Sequence, residues 1–158
     1  HRTQFEVNFW SGMSYVEFQR FYDNSEWHMK ERSTIYLPEE STHKAKRKLL
    51  ERYIHTIPPQ IEGVLKYFHT DIKPQTTNVC NDNYKRWAVK SGFDTKGFTT
   101  KMTRKTIESW MVAVGVPINV VCLRQGHDTL TSMNHYQGLP FSDAEKDEIK
   151  RRLAGWLL

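Results

Sequence analysis

The order of its apolar patterns places this chain in the α+β class, mainly α-helical, with a small antiparallel β-hairpin on one side of a helical core. Three observations carry that expectation. Apolar residues recur at helical spacing over most of the chain. Two runs rich in β-branched and aromatic residues, 33–38 (STIYLP) and 51–58 (ERYIHTIP), interrupt the helical pattern in its first half. Glycines close the helical stretches, at Gly12, Gly92, Gly115 and Gly126.

Residues 5–22 read as helical, broken at Ser11-Gly12, with Tyr15, Phe18 and Tyr22 on one face. The two β-rich runs pair as a hairpin across the polar, basic loop EESTHKAKRKLL. Pro59 opens a helix carrying Ile61, Val64, Leu65 and Phe68 at helical spacing. Residues 69–78 form a loop, and a helix over 79–90 stops at Ser91-Gly92. Thr103 is the expected N-cap of the next helix, which has Ile107, Trp110, Met111 and Val114 as its apolar stripe and ends at Gly115 and Pro117. A short helix over 118–125 is closed by Gly126, and Tyr136 sits near the end of another short helical stretch. Ser142-x-x-Glu145 is a capping box for a last helix reaching about Leu153. No repeat or low-complexity tract is present.

At 158 residues the chain suits one domain, residues 1–158, built on a single core. Lysine and arginine number 23 against 18 acids, a formal net charge of +5, which favours a polyanionic partner. The two cysteines, Cys80 and Cys122, make neither a metal nor a disulfide pattern and read as buried thiols. No metal-ligand cluster is spaced in the sequence and no cofactor is implied. No apolar run approaches a membrane span and no signal peptide opens the chain, so a soluble, cytoplasmic protein is expected.

The last third carries the chemistry. Lys101-Met102-Thr103-Arg104 is followed by Gly126-His127 and then by Tyr136, with 23 residues from Arg104 to His127 and nine from His127 to Tyr136. Arg104 offers a planar fork for phosphate oxygens, and the pattern puts it in the first turn of a helix, where unpaired N–H groups favour an anion. His127 can donate to a phosphate oxygen. Tyr136 has a phenolic oxygen able to attack phosphorus once deprotonated. Read singly, each is ordinary: a surface arginine, a capping histidine, a structural tyrosine. Their joint spacing makes the argument.

That spacing resembles the tyrosine recombinases, the phage-integrase family. Lys101-x-x-Arg104 matches the arginine box, Gly126-His127 the histidine box and Tyr136 the nucleophile; lysine at the first box position is similar to integrases of archaeal viruses and plasmids. The resemblance implies an integrase-type catalytic domain, without the DNA-clamping domain that usually precedes it. It implies attack by Tyr136 on a DNA phosphodiester, a 3′-phosphotyrosyl intermediate and transfer to a partner strand, without ATP or metal. The partners implied are a double-stranded DNA attachment site and a homo-tetramer assembled on it from monomers. Lys101 becomes a phosphate donor or proton carrier, and Lys105 a DNA contact. A lysine on the hairpin would protonate the leaving 5′ oxygen. Lys44, Lys46, Arg47 and Lys48 compete for that role, Lys46 being favoured by its mid-loop place, with Lys30 next in line. The others then become DNA contacts. His135 matches no motif position.

One departure stands out. The family's first arginine lies in a Gly-x-Arg-x-x-Glu setting, and here residues 12–17 read Gly-Met-Ser-Tyr-Val-Glu, with Ser14 in the arginine position. A hydroxyl cannot make a charge-assisted bidentate clamp. Three readings follow: an impaired site, a substitute such as Arg20, or a deliberate change. A type IB topoisomerase-like enzyme shares the chemistry, but the short chain and the integrase-like boxes weigh against it. From another class, a DNA-binding module of the same fold that does not cleave is the alternative.

Overall fold

The structure, a computed structural model, describes residues 2–42, 51–55, 57–130, 132 and 140–153. In chain order the α-helices are α1 (Arg2–Ser11), α2 (Tyr15–Asp23), α3 (Pro59–Phe68), α4 (Thr77–Lys90), α5 (Thr100–Ala113), α6 (Ile118–Gln125) and α7 (Asp143–Leu153). Between α2 and α3 run three strands, β1 (His28–Met29), β2 (Thr34–Leu37) and β3 (Arg52–His55). The fold is therefore mainly helical with one small antiparallel sheet, of order β1-β2-β3.

The β2–β3 pairing aligns Ile35 with Ile54 and Leu37 with Arg52. Alternation sends Ile35, Leu37 and Ile54 into the core and leaves Tyr36 and Tyr53 on the other face, their rings 4.9 Å apart. The two-residue strand β1 was not expected; it is too short to leave a pattern and exists by pairing His28 with Ile35.

Two apolar clusters fill the interior. One gathers Val7, Phe18, Phe21, Ile35, Ile54 and Phe68 from α1, α2, the sheet and α3. The other gathers Ile107, Met111, Val121, Ile149 and Leu153 from α5, α6 and α7. Trp10 packs against both, and its ring lies 6.3 Å from that of Trp110. Helix α1 is thus a wall common to both clusters.

Most helix boundaries follow the local signals. Pro59 starts α3, Gly126 ends α6 at φ +68°, and Ser142 and Glu145 form their capping box, with Ser142 N donating to Glu145 Oε2 at 2.8 Å. The start of α5 is a correction. Its N-cap is Thr99, not Thr103, and Asn81 of α4 accepts from Thr100 N at 2.7 Å. Because α4 supplies that acceptor, the helix begins one turn earlier than its own sequence suggested. Thr103 is instead buried and donates to Asn8 Oδ1 at 2.8 Å. Helix α4 starts at Thr77 rather than residue 79, capped by Thr76. Cys122 is buried as expected, whereas Cys80 is only half-buried; both are free thiols.

Candidate active site around Arg104 and His127

Helix α5 carries Arg104 and Glu108 one turn apart, and both grip the chain leaving α6. Arg104 donates through one terminal nitrogen to the Gln125 carbonyl and through the other to the Gly12 carbonyl at 2.9 Å. Glu108 Oε1 lies 2.9 Å from His127 Nε2 and accepts from Ser132 Oγ at 2.9 Å. The positive φ of Gly126 turns the backbone between those grips, and the N–H groups of Gly126 and His127 both return to the Cys122 carbonyl. Arg104 and Glu108 thus hold the chain on the two sides of Gly126. Ser132, pinned by the same carboxylate as His127, fixes the chain four residues before Tyr136.

Beneath Arg104 lies a buried ionic network centred on Glu17 of α2. Glu17 and Arg52 of β3 are both almost fully buried, with Arg52 Nη2 donating to Glu17 Oε2 at 2.9 Å and Nε to Oε1 at 3.3 Å. Arg104 Nη1 stands 3.6 Å from the same carboxylate. Ser14 N donates to Glu17 Oε2 at 2.7 Å, and Ser14 Oγ accepts from Glu17 N, completing a capping box at the start of α2. Arg52 also reaches the Arg124 carbonyl, and Arg124 donates to the carbonyls of His55 (2.8 Å) and Trp10 (3.3 Å). Burial, together with the neighbouring Arg52 cation, pulls the Arg124 pKa down to about 9. The interior beneath the α6 terminus thus holds three arginines, Arg52, Arg104 and Arg124, against Glu17 and Glu108.

Gly12 sits in the middle of this network and accounts for its tightness. Its φ is +67°, and a Cβ there would lie 2.8 Å from Gln125 Nε2. That backbone conformation favours glycine, and a side chain there would have to displace the amide end of Gln125.

Arg104 is neither the solvated arginine of its simplest reading nor part of a helix's first turn. The earlier start of α5 moves it to the second turn, away from the unpaired N–H groups, and its side chain is 14% exposed. Lys101 and Lys105 are exposed on α5. Arg20 donates to the Glu40 carbonyl, and Lys30 is exposed in the turn between β1 and β2. Tyr136, His135, Lys44, Lys46, Arg47 and Lys48 lie outside the described residues. Among the described residues no group of three or more His, Cys, Asp and Glu side chains is placed to hold a metal ion.

Sequence reasoning met Glu17 only as the glutamate of the Gly-x-Arg-x-x-Glu setting and gave no role to Arg52, Glu108, Arg124 or Gln125. A signal existed for Arg52: on β3 it shares the inward parity of Ile54. Charged residues at apolar positions are buried only when paired, so such a residue points to a partner without naming it. Compared with family models, with curated proteins and with solved structures, the chain returns no match.

Proposed function

We propose that this chain is the catalytic domain of a site-specific DNA recombinase of the tyrosine-recombinase type, acting on double-stranded DNA. The observation that carries the reading is the joint spacing of Arg104, His127 and Tyr136, together with the grip of Arg104 and Glu108 on the two sides of Gly126. The excess of buried arginine over glutamate around that point supports it, because a phosphate placed there would relieve repulsion among like charges.

In the proposed step the Tyr136 oxygen attacks the scissile phosphorus, forming the 3′-phosphotyrosyl bond as the bond to the 5′ oxygen breaks. Arg104 and His127 hold the non-bridging oxygens as charge builds on them. The phenol gives its proton to water at the site, and Lys101 is the candidate to carry that proton onward or to donate to the phosphate. A hairpin lysine, Lys46 first among Lys44, Arg47 and Lys48, gives a proton to the leaving 5′ oxygen. The 5′-hydroxyl of a partner strand then reverses the attack, so phosphodiester energy is conserved. Strand exchange between two duplexes requires four protomers on the DNA.

Ser14 favours a second reading, a module of the same fold that binds DNA but does not cleave it. Its hydroxyl is used as the α2 cap, and Arg104 makes its hydrogen bonds to two main-chain carbonyls. A nicked suicide duplex separates the two readings. The recombinase reading expects a covalent protein–DNA adduct that Tyr136→Phe abolishes while duplex binding stays within about twofold. Binding without any adduct selects the second reading, and an adduct mapped to Tyr22 or Tyr84 refutes the assignment of the nucleophile.

A further inference from the structure

A groove of about 300 Å³ lies between α1, α4 and α5, lined by Phe5, Tyr84, Trp87, Phe93, Phe98 and Met102. Helix α4 turns Tyr84, Trp87 and Ala88 toward it, three and four residues apart. Its rings are not closed off: Trp87 is 37% exposed and Phe93 65%. Contiguous exposed aromatic area of this kind marks a place where something binds. The stretch that supplies all of the lining but Phe5, residues 82–105, exposes six cations (Lys85, Arg86, Lys90, Lys96, Lys101 and Lys105) against Asp82 and Asp94. That surplus of four nearly equals the +5 of the whole chain. None of the six cations has an ion pair among the described residues.

We propose that this groove binds single-stranded nucleic acid, with bases stacked on Trp87 and Phe93 and phosphates held by the lysines around them. The inference uses neither Arg104, His127 nor Tyr136; of the residues given roles above it shares only Lys101 and Lys105, and its test changes neither. The charge surplus selects an anionic occupant. The lining then selects its chemistry. A peptide brings an N–H and a C=O with each residue, all needing partners, and the lining side chains that can hydrogen-bond are few: Tyr84, Trp87 and Ser91. No strand of the sheet lines it, so an added β-strand has no edge to join. A nucleobase needs only a ring face to stack on, whatever its identity. A duplex keeps its base faces stacked inside and presents phosphates and base edges, so it engages the lysines but not the rings.

The test is fluorescence anisotropy with a labelled oligothymidine of twelve nucleotides and a hairpin duplex of equal charge. Phe93→Ala and Trp87→Ala should each weaken oligothymidine binding by about 5- to 150-fold and leave duplex binding unchanged. The double variant Lys90→Ala with Lys96→Ala should flatten the single-strand salt dependence by about 0.7 in log–log slope per lysine in contact. Phe93 is the main probe because its exposed ring can be removed with little effect on the fold; unchanged thermal melting verifies that. Absence of oligothymidine binding, or equal losses for single strand and duplex in the ring variants, overturns the proposal. So does capture of a glutamate-rich amphipathic peptide in its place, or a ring-dependent dimer in sedimentation. Tyr136→Phe should leave oligothymidine binding intact, so failure of the adduct experiment and failure of this one are told apart.

Discussion

Glu17 is the residue on which most of the described site rests. Its carboxylate meets Arg52, Arg104 and the Ser14 N–H with no exposure to solvent. Removing one member of a buried pair strands the other charge, at a cost of about 3–5 kcal/mol. Glu17→Gln should therefore lower unfolding stability by that amount in denaturant titration, whereas the surface pair Lys73–Asp23 should yield under 1 kcal/mol when broken. A loss near zero for Glu17→Gln would mean the Arg52 cation is compensated elsewhere. Ser14 presents the opposite balance. On the recombinase reading Ser14→Arg would supply the missing phosphate clamp, and it removes the α2 cap. The expected outcome is a cleavage rate higher by roughly 10²-fold with a stability loss of about 1 kcal/mol. Ser14→Ala should reproduce the stability loss without the rate gain. A native chain that already cleaves at full rate, unchanged by Ser14→Arg, would show that another residue fills the role.

At the scale of elements, the junction of α2, β1 and α3 holds a pH response. His28 on β1 and His69 after α3 both have pKa values lowered first by burial; their mutual repulsion lowers that of His28 further, and Lys30 lowers both. Glu62 opposes the shift at His28; the Tyr22 carbonyl, 3.1 Å from His69 Nδ1, and Glu26 oppose it at His69. The sign follows from linkage. The folded chain holds both imidazoles neutral, and the unfolded chain takes up protons first, beginning near pH 6.5. Stability should fall as pH drops below about 6.5 and keep falling until the folded histidines also protonate. His69→Phe keeps a ring against Phe21 and Phe68 and should reduce the difference in melting temperature between pH 7.5 and 5.5. A native melting temperature that rises over this window on acidification would contradict the assignment. The element boundaries were largely legible in the chain because caps, glycine stops and apolar periodicity are local. The start of α5 was not, since its deciding acceptor, Asn81, belongs to another helix.

For the whole molecule, the two apolar clusters share α1, and the Glu17 network ties α2, β3, α5 and the end of α6 across them. Neither cluster keeps its walls if the other opens. One cooperative transition is expected, with calorimetric and van't Hoff enthalpies equal; two resolved transitions would mean that α1 does not couple the clusters. The described residues contain no helix long and apolar enough to cross a membrane. The sequence by itself determined the class, because hydrophobic period and turn residues act over a few positions and leave a local record. It also determined which residues propose the chemistry, since the Arg104, His127 and Tyr136 spacing is a property of the chain. Only the tertiary structure decided how Arg104 is held, that Glu108 grips His127, and that Gly12 lies against the Gln125 side chain. Those outcomes depend on residues 12, 17, 52, 104, 108, 124 and 127 meeting in one low-dielectric interior. A buried charge is tolerated only where partners from distant segments arrive together, and no local pattern records who those partners are.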